Sequence, residues 1–447
     1  MPTVSFRTLG CKLNQAETDD LAGRFLRRGW AVVGPGEAAD VAVIHTCTVT
    51  GRSDAKCRQA VTHALRLNPG AVIVAAGCYA QVSAAELAAI PGVDYVVGTA
   101  EKFRLPDLIE GTSKRRVPLV AVSDPAGRVA GRAEEAAGPL PEPVAGGRTR
   151  AFLKIQSGCD RQCAYCIVPA ARGPGRSEPA GAVIRNAEAL TRRGFAEIVV
   201  TGTHIGDYGK DFPEGKPDFP ELLGRLAAVE GIGRIRLTSL DPDECTGALL
   251  DTVARHGRIC RHFHVSLQSG SDTVLRMMKR RYDTETFAAL VRSIGERMDF
   301  FGLGTDVITG FPGETEAHFL ETVRFIETLP FTYLHVFPFS PRRNTAAAVM
   351  PGSVPSAVRA ERARMLRDLG AKKRKAFCRR AVGRTVEVLF ESGVRNGFLS
   401  GLSSEYLRIE ARAGSDRINR IVRVRVTEAP EEGTAAGIPV PDGGGES

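Results

Sequence analysis

The chain has 447 residues, a net charge of +9 and a hydrophobic content of 43%, which is typical of a globular protein with two or three domains. No apolar run is long enough to span a membrane and the first residues lack a signal-peptide core, so a cytoplasmic protein without membrane contact is expected. In that reducing compartment the ten cysteines are expected to be metal ligands or core residues rather than disulfides. The positive charge favours nucleic acid as a partner, although an Arg-rich composition alone would also produce it.

Residues 1–115 alternate short apolar strands with helical patterns. Strands are predicted at residues 4–9, 41–46, 72–76 and 95–97, and helices at residues 14–28, 53–67 and 83–90. Strands that alternate with helices predict a parallel α/β sheet. Cys11, Cys47 and Cys78 each lie just past one of the first three strands, at the edge where open parallel sheets bind ligands. We expect these three cysteines to converge.

Residues 116–148 contain a stretch rich in Ala, Gly and Pro and are predicted to be a linker. The alternation then resumes over residues 149–375. Strands are predicted at residues 152–156, 198–201, 234–240, 262–267, 303–308 and 333–337, and helices near residues 180–193, 219–229, 243–256, 272–294 and 315–328. Six β-α units without a dinucleotide-binding glycine motif predict a partial (β/α)6 barrel, related to the eight-unit TIM barrel.

The pattern changes again over residues 376–430. Short strands are predicted at residues 385–390, 398–402, 406–410 and 421–427. Turn signals such as Asn396-Gly397 separate them, which predicts a small all-β module. The Gly-rich end, residues 431–447, is predicted to be disordered. The whole chain is therefore expected to be an α/β protein with a separate all-β domain at its carboxyl end.

A basic segment precedes this module. Residues 359–380 hold ten basic residues against Glu361 and Asp368. A solvated helix usually interleaves the two signs of charge, so this imbalance favours contact with nucleic acid.

The motif with the strongest chemical signal is Cys159-Asp-Arg-Gln-Cys163-Ala-Tyr-Cys166, which follows the first predicted barrel strand. It therefore lies at the top face of the barrel, where active sites of this architecture are found. Three thiolates leave one iron of an iron–sulfur cube without a protein ligand, whereas a cube that only carries electrons has four. A zinc site is the alternative, but zinc sites usually combine two short-spaced pairs and no second CxxC occurs.

This motif resembles that of radical S-adenosylmethionine (SAM) enzymes. The residues around the other trio, Thr8-Leu-Gly-Cys11-Lys-Leu-Asn14-Gln and Ala76-Gly-Cys78-Tyr79, are similar to those of the methylthiotransferases, and the resemblance covers nearly the whole chain. Further segments that carry it are Ile167-Val-Pro169, Arg172-Gly173, Arg176-Ser177, Thr201-Gly-Thr-His-Ile-Gly-Asp-Tyr-Gly209, Leu267-Gln-Ser-Gly-Ser271, Asp306-Val-Ile-Thr-Gly-Phe-Pro-Gly-Glu314 and His335-Val-Phe-Pro-Phe-Ser340. The resemblance implies SAM and two [4Fe-4S] clusters as cofactors. It assigns one cluster to Cys159, Cys163 and Cys166, and a second to Cys11, Cys47 and Cys78.

The resemblance also implies a reaction. Members of this family generate a radical from SAM and insert a methylthio group at a carbon. The opening Thr8-Leu-Gly-Cys11-Lys-Leu-Asn14 is most similar to the branch that modifies C2 of N6-threonylcarbamoyladenosine next to the tRNA anticodon. Isopentenyladenosine of tRNA and a ribosomal protein side chain are the alternative substrates. The implied partners are tRNA, SAM and an electron donor, with an unknown sulfur donor, and the last domain resembles the RNA-binding TRAM module.

A non-enzymatic RNA-binding protein with a structural metal is the remaining alternative. Three-cysteine sites argue against it, because a fourth protein ligand normally closes a structural site. If the last domain serves only RNA binding, deleting residues beyond about 380 weakens tRNA binding with little effect on cluster loading.

Three residues are predicted to contact the cofactor. Tyr165 lies between two cluster ligands, and Gln268 and Asp306 lie at the ends of barrel strands. His262 and His264 share one face of a strand, either facing the cofactor or, as favoured here, as satisfied core histidines. Residues 310–314 either cradle a ligand carboxylate or only turn the chain from strand to helix. Four isolated cysteines are expected to be inert core residues: Cys57, Cys245, Cys260 and Cys378.

Overall fold

The computed structural model describes residues 1–48, 51–127, 148–391, 397–430 and 433–440, and only the backbone of residues 51–54. Three domains follow one another along the chain, which confirms the predicted fold class. Most of the predicted linker, and the last part of the predicted disordered tail, lie outside the described residues.

The first domain is a six-stranded parallel sheet with a hydrophobic core on each face. Its strands, in the sheet order β2-β1-β3-β4-β5-β6, are β1 (Thr3–Thr8), β2 (Ala31–Val33), β3 (Val41–Thr46), β4 (Val72–Gly77), β5 (Val93–Val97) and β6 (Leu119–Ala121). Its helices are α1 (Lys12–Arg27), α2 (Gly51–Leu67), α3 (Cys78–Val82), α4 (Ala84–Ala88) and α5 (Leu105–Leu108). Every residue of β3 and β4 is buried, as expected for central strands covered on both faces.

Three details of this domain differ from the sequence prediction. The helix predicted over residues 83–90 is divided into α3 and α4. Strands β2 and β6 were not predicted, because three residues are too few to show a pattern. Since β6 pairs with β5, the domain extends to residue 121, and residues 116–121 do not belong to the linker.

The second domain is an open barrel of parallel strands around the largest hydrophobic core. Its strands are β7 (Arg150–Lys154), β8 (Gln156–Ser157), β9 (Arg176–Ser177), β10 (Glu197–Thr201), β11 (Arg234–Leu237), β12 (Ser239–Leu240), β13 (His262–Val265), β14 (Gly302–Thr309) and β15 (Tyr333–Pro338). Its helices are α6 (Val168–Arg172), α7 (Ala180–Arg192), α8 (Phe219–Ala227), α9 (Gly247–Arg255), α10 (Asp272–Met277), α11 (Thr284–Arg297) and α12 (Glu316–Thr328).

The barrel strands pair in parallel in the orders β11-β10-β7 and β12-β13-β14-β15. Only Thr238 separates β11 from β12, so the two form one interrupted strand and the barrel has the six units predicted. The helix predicted over residues 272–294 is two helices, α10 and α11.

Both edges of the open barrel are covered. Helix α1 of the first domain packs against β7, and the long helix α13 (Ser356–Ala381) packs along β15. The first domain therefore closes one side of the barrel with the helix that begins directly after Cys11.

Several basic side chains of α13 bond to residues of the barrel, which the sequence did not indicate. Arg359 donates to the carbonyl of Phe339, and Arg362 is buried in an ion pair with Glu314 at 2.6 Å. Lys373 donates to two further barrel carbonyls. The charge imbalance of this helix is therefore only partly available to a nucleic acid.

The third domain is a closed five-stranded barrel with its own core. Its strands, in the order β16-β17-β18-β20-β19, are β16 (Thr385–Phe390), β17 (Phe398–Ser403), β18 (Arg408–Arg412), β19 (Ile421–Glu428) and β20 (Ala435–Pro439). The predicted all-β module is thus confirmed. Assigning residues 433–440 to a disordered tail was wrong, because β20 pairs with β18 and β19 and closes the barrel.

The third domain docks on the floor of the second through two buried arginines of β11. Arg234 donates to the carbonyl of Leu402 at 2.8 Å, and Arg236 to that of Ser403 at 2.9 Å. Both arginines also bond the fully buried carboxylate of Glu197 on β10. The guanidinium of Arg236 lies 5.2 Å from the ring centroid of Tyr406, in the turn between β17 and β18.

The Tyr406 ring fills the floor of the barrel. Its centroid lies 4.5 Å from that of His262 in a stacked arrangement and 5.3 Å from that of Tyr333. The residue has a φ of 68°, which is costly for a side chain of this size. The stacking holds the tyrosine in this conformation, so the third domain forms part of the barrel interior.

Candidate active site between two cysteine trios

The carboxyl ends of β1, β3 and β4 carry Cys11, Cys47 and Cys78. Glycines precede two of them, Gly10 with a φ of 103° and Gly77 with a φ of 107°. A Cβ at residue 10 would lie 2.5 Å from the Cβ of Cys47, and one at residue 77 would lie 2.9 Å from a carbonyl oxygen of β3. Only glycine permits this approach, so the three cysteine-bearing loops come together at one edge of the sheet.

Hydrogen bonds hold these strand ends in place. The side-chain nitrogen of Asn14 donates to the carbonyls of Leu9 at 2.9 Å and Thr46 at 3.1 Å. The hydroxyl of Thr46 in turn donates to the carbonyl of Ala76 at 2.8 Å. The loops that carry the trio are therefore positioned by buried polar contacts rather than by the cysteines themselves.

Two of these thiols lie at helix starts, where backbone N–H groups favour negative charge. Cys11 is the N-cap of α1, and Cys78 is the first residue of α3. Burial raises the pKa of Cys11, while Arg172 and the backbone of Asn14 act in the opposite direction.

A buried charge network joins this domain to the barrel beside the trio. Arg172, at the end of α6, places Nη1 and Nη2 each 3.0 Å from a carboxylate oxygen of Glu17, and Nη2 2.7 Å from Oδ1 of Asn14. Lys102 donates to the same carboxylate at 2.5 Å. His45 lies beside the lysine, and burial together with the charge of Lys102 holds its pKa well below the usual value. The network therefore contains two cations and one anion.

The second trio lies in the loop after the first barrel strand, as predicted. The backbone N–H of Arg161 points to the sulfur of Cys159 at 3.4 Å, and Nη1 of Arg280 lies 3.1 Å from the sulfur of Cys163. Burial, with smaller contributions from the neighbouring cysteines, raises the pKa of Cys166 to about 12. An unligated thiol here stays protonated, so a bound metal must provide the charge that stabilises the thiolate.

Charged groups of both signs surround this loop. The cations are Arg161, His204 and Arg280, and the carboxylates are Asp207, Asp241, Asp243 and Glu244. Burial opposes a charge on His204, but its hydrogen bonds with the carboxylates raise its pKa to about 12. Lys210 also pairs with Asp207, and Lys279 and Arg281 line the same cavity as Cys163, so carboxylates are not in excess around this loop.

The sulfur spacing distinguishes a cluster from a single ion. The ligands of one zinc ion, at about 2.3 Å from the metal, lie within about 4.6 Å of one another. Among the described residues, the groups whose ligand atoms lie within 4.8 Å of one another consist of His and carboxylate residues, with no cysteine. Each trio is thus too widely spaced for one ion. Three thiols around a larger centre fit a [4Fe-4S] cube with one iron free of protein ligands.

The three predicted cofactor residues lie around the same end of the barrel. Tyr165 is partly buried between the cluster cysteines. The backbone N–H of Gln268 donates to the carbonyl of Asp306 at 2.8 Å, which fixes these two residues side by side. The Asp306 carboxylate contacts His264 at 3.0 Å and His335 at 3.2 Å.

The histidine pair of β13 bonds within the protein, although Nδ1 of His262 is buried without a hydrogen-bond partner among the described residues. His262 and His264 are both buried, and each lies 2.9 Å from the hydroxyl of Tyr333. The segment over residues 310–314 is satisfied by its own chain, since the N–H of Gly310 donates to the carboxylate of Glu314 at 2.6 Å. The isolated cysteines Cys57, Cys245, Cys260 and Cys378 are all buried.

Comparison with known proteins agrees with this geometry. The radical SAM superfamily matches residues 153–326, and the family described as "Uncharacterized protein family UPF0004" matches residues 3–98. The chain is 39% identical over 434 residues to the threonylcarbamoyladenosine tRNA methylthiotransferase MtaB of Bacillus subtilis, covering 96% of this chain and 94% of that one. It is 34% identical over 438 residues to the tRNA-2-methylthio-N(6)-dimethylallyladenosine synthase of Moorella thermoacetica, covering 96% of each. The chain belongs to the radical SAM methylthiotransferase family.

Membership in the methylthiotransferase family makes the protein a transferase whose cofactors are SAM and two [4Fe-4S] clusters. A solved structure with a similar fold is the radical SAM methyltransferase TsrM from Kitasatospora setae, with a TM-score of 0.55 and 16% identity over 78% of this chain and 77% of that one. At this identity the likeness concerns the fold alone. None of the helices that the structure describes combines the length and the apolar character needed to cross a membrane.

One charged residue of this methylthiotransferase faces the space between the domains. Lys12 follows Cys11, is accessible to solvent, and has no hydrogen-bond or ion-pair partner among the described residues. Burial lowers its pKa, Arg150 and Arg236 lower it further, and Glu197 and Asp306 act in the opposite direction. All four groups lie on barrel strands, so the Lys12 ammonium points into the barrel interior.

Sequence reasoning did not assign a role to several residues around the trios. Lys102, Arg280 and Asp241 lie far along the chain from the cysteines that they approach. Arg172 follows Cys166 by six residues and belongs to a segment that carries the family resemblance, but that segment does not indicate what the guanidinium contacts. Only the juxtaposition of two domains shows what these residues contact.

Proposed function

We propose that the protein adds a methylthio group to C2 of N6-threonylcarbamoyladenosine in tRNA. The observation that carries this proposal is the greater identity, over nearly the full chain, to relatives named for that nucleoside than to relatives named for the dimethylallyl one. The structure supports it with one cysteine trio at the strand ends of the first domain and another in the loop after the first barrel strand, and the contact of Arg172 with Glu17 joins the two parts.

The proposed ligands follow from the geometry. Cys159, Cys163 and Cys166 would hold one cluster, which we call the first cluster. Cys11, Cys47 and Cys78 would hold the other cluster, which we call the second cluster. When bound, these groups and SAM supply the electron, the carbon-centred radical and the sulfur that the reaction requires. Tyr165, Gln268 and Asp306 are the proposed contacts of SAM.

The protein itself contributes positioning and the exclusion of water. Helix α1 closes the open side of the barrel, and Tyr406 closes its floor. The proposed approach for a nucleotide is then from the carboxyl end of the strands, between the two trios. Arg280 bonds both the sulfur of Cys163 and the carboxylate of Asp241, which fixes the cysteine loop against the barrel.

Lys12 supports the choice of nucleoside. The threonylcarbamoyl group carries a carboxylate, whereas the dimethylallyl group is apolar. An unpaired ammonium beside Cys11 offers a partner for that carboxylate at the place where the base is modified. Burying an apolar group against the same ammonium would cost free energy.

The remaining partners are proposed from chemistry. Exposed arginines on β18 and β19 offer phosphate contacts to the tRNA, namely Arg412, Arg423 and Arg425. A low-potential electron donor and a sulfur donor are required by the reaction, and the cytoplasm is the expected place of action because it holds the tRNA.

Mass spectrometry of tRNA nucleosides tests this function. The anaerobically reconstituted protein is incubated with SAM, dithionite, sulfide and tRNA that carries threonylcarbamoyladenosine, and we expect the 2-methylthio form of that nucleoside. A Cys47→Ala variant is the matched control, since it should still form 5′-deoxyadenosine without methylthio product. Product only on tRNA with isopentenyladenosine, or only on ribosomal protein, would contradict the proposal.

A further inference from the structure

The network of Glu17, Arg172 and Lys102 has more positive charge than its own residues balance. All three side chains are almost completely buried, with exposed fractions of 2%, 4% and 0%. The next cation, Lys154, is 3.9 Å from Glu17 but pairs with Glu178 at 2.8 Å. Among the described residues, no second carboxylate forms an ion pair with Arg172 or Lys102, so one buried cation has no anionic partner.

Such an excess is costly unless an anion lies nearby. The electrostatic partners that remain for these two cations are cysteines of the adjacent trio. The oxygen of Asn14 that accepts from Arg172 at 2.7 Å lies 3.8 Å from Sγ of Cys11, and an ionised Cys78 would attract both Arg172 and Lys102. The trio therefore provides the missing negative charge when its sulfurs are ionised.

Three thiolates outweigh the positive charge of a [4Fe-4S] core, so a cluster held by the trio is anionic and becomes more so on reduction. A fixed positive charge beside it favours the reduced state and so raises the reduction potential.

We infer that Arg172 and Lys102, held by Glu17, form a buried cationic site that stabilises the second cluster in its anionic form and raises its reduction potential. The inference rests on the proposed assignment of the second cluster to Cys11, Cys47 and Cys78. Arg172 and Lys102 are positioning residues, because they act on the cluster through its ligands and touch no reacting atom.

This arrangement suits a cluster that binds sulfur, because a raised potential makes the second cluster a weaker reductant. A cationic site also favours the binding of an anionic sulfur species at the open iron. Because Arg172 belongs to the α6 segment that follows Cys166, the cysteine loop of the first cluster carries one of the charges that tune the second.

A redox titration followed by electron paramagnetic resonance tests the inference. The full-length Cys163→Ala chain, reconstituted anaerobically, holds the second cluster alone and serves as the background. In it, Lys102→Met should shift the midpoint potential to a more negative value, and Lys102→Arg should restore it. Glu17→Gln removes the anion instead and should shift the potential in the opposite direction.

Lys114→Met is the matched control. Lys114 belongs to the same domain and pairs with the buried carboxylate of Asp94 at 2.8 Å, near the amino ends of β4 and β5. The Lys114→Met substitution should leave the midpoint potential of the second cluster unchanged. Equal potentials in Lys102→Met and Lys114→Met, or shifts of the same sign in Lys102→Met and Glu17→Gln, would overturn the inference alone. Failure of the Cys163→Ala chain to bind any cluster would refute the ligand assignment and the inference with it.

Discussion

Two buried networks join the barrel to its neighbouring domains, and they differ in how their charge is balanced. At the floor, Arg234 and Arg236 share Glu197 and direct their other donors to carbonyls of the third domain. Glu405 of that domain adds a second buried carboxylate beside the two arginines. Each guanidinium nitrogen of the two arginines has an acceptor in the protein, so the network is complete without a ligand.

The network at Glu17 is not complete in this way. Two cations share one carboxylate, and the cysteine trio lies on the open side. A balanced network indicates a structural joint, whereas an unbalanced one indicates the place of an anionic ligand. The floor is therefore expected to affect folding, and the network at Glu17 is expected to affect chemistry.

Removal of the third domain should have the largest effect. Truncation after residue 380 leaves Arg234, Arg236 and Glu197 facing solvent or a cavity without their acceptors. Breaking a buried charge network costs about 3–5 kcal/mol, so we expect poor folding of the barrel and low iron content. This changes the expectation from the sequence that cluster loading would persist. Normal iron content in the truncated chain would show that the floor is not a structural joint.

Loss of one carboxylate at the floor should have the next largest effect. Glu197→Ala leaves two buried arginines with one anion fewer, at a cost of about 3–5 kcal/mol. The measurement is the midpoint of thermal or urea denaturation of the reconstituted protein. A matched Glu221→Ala variant, at an exposed pair with Arg225, should change it little. Equal midpoints for the two variants would show that the buried carboxylate of Glu197 stabilises the fold no more than the exposed one of Glu221.

The floor should also show a defined pH dependence. Burial opposes ionisation of Glu197, but Arg236 and Arg234 outweigh it and lower its pKa to about 2 from a usual value of 4.5. A carboxylate with a depressed pKa stabilises the fold above its unfolded-state pKa and loses that contribution as the pH falls through the folded one. Stability should therefore decline between about pH 4.5 and pH 2, and Glu197→Gln should flatten this part of the profile. An unchanged profile would contradict the assignment of this pH dependence to Glu197.

A smaller effect is expected at the open side of the site. Lys12→Gln removes the proposed partner of the substrate carboxylate, a charge-assisted contact worth about 1.5–3 kcal/mol. We expect kcat/KM for tRNA with threonylcarbamoyladenosine to fall by about 10- to 100-fold. Formation of 5′-deoxyadenosine without tRNA should not change. If Lys12→Gln lowers that background reaction equally, the lysine serves the cluster rather than the substrate.

The smallest effect is expected on the outer surface. Arg423 and Arg425 are exposed on β19, away from both networks. Replacing both with Gln should weaken tRNA binding and reduce the slope of log affinity against log salt by about 0.9 for each lost phosphate contact. A binding assay over a range of salt concentrations measures this. An unchanged slope would move the tRNA contact to another surface.

The sequence predicted the fold because local patterns determine it. The residues of β3 and β16 were predicted at their observed bounds, since each is an uninterrupted run with a clear apolar pattern. β20 was missed because Ala435–Pro439 contains Gly and Pro, which read as a turn. It is a strand only because β18 and β19 provide partners on both sides.

The candidate site could be predicted only in part. Spacing and strand-end positions grouped the six cysteines, and the family resemblance assigned them to two clusters. The charges that surround them could not be assigned, because Lys102 and Arg172 lie in different domains and meet only after folding. For His262 the sequence favoured a core histidine over a cofactor contact, and the histidine bonds Tyr333 and stacks on Tyr406.

The central claim is that the unbalanced network at Glu17 serves the second cluster. The most direct test is the midpoint potential of that cluster in the Cys163→Ala chain, measured with and without Lys102→Met. A more negative potential in the chain with Lys102→Met is predicted. An unchanged or less negative potential would contradict the account.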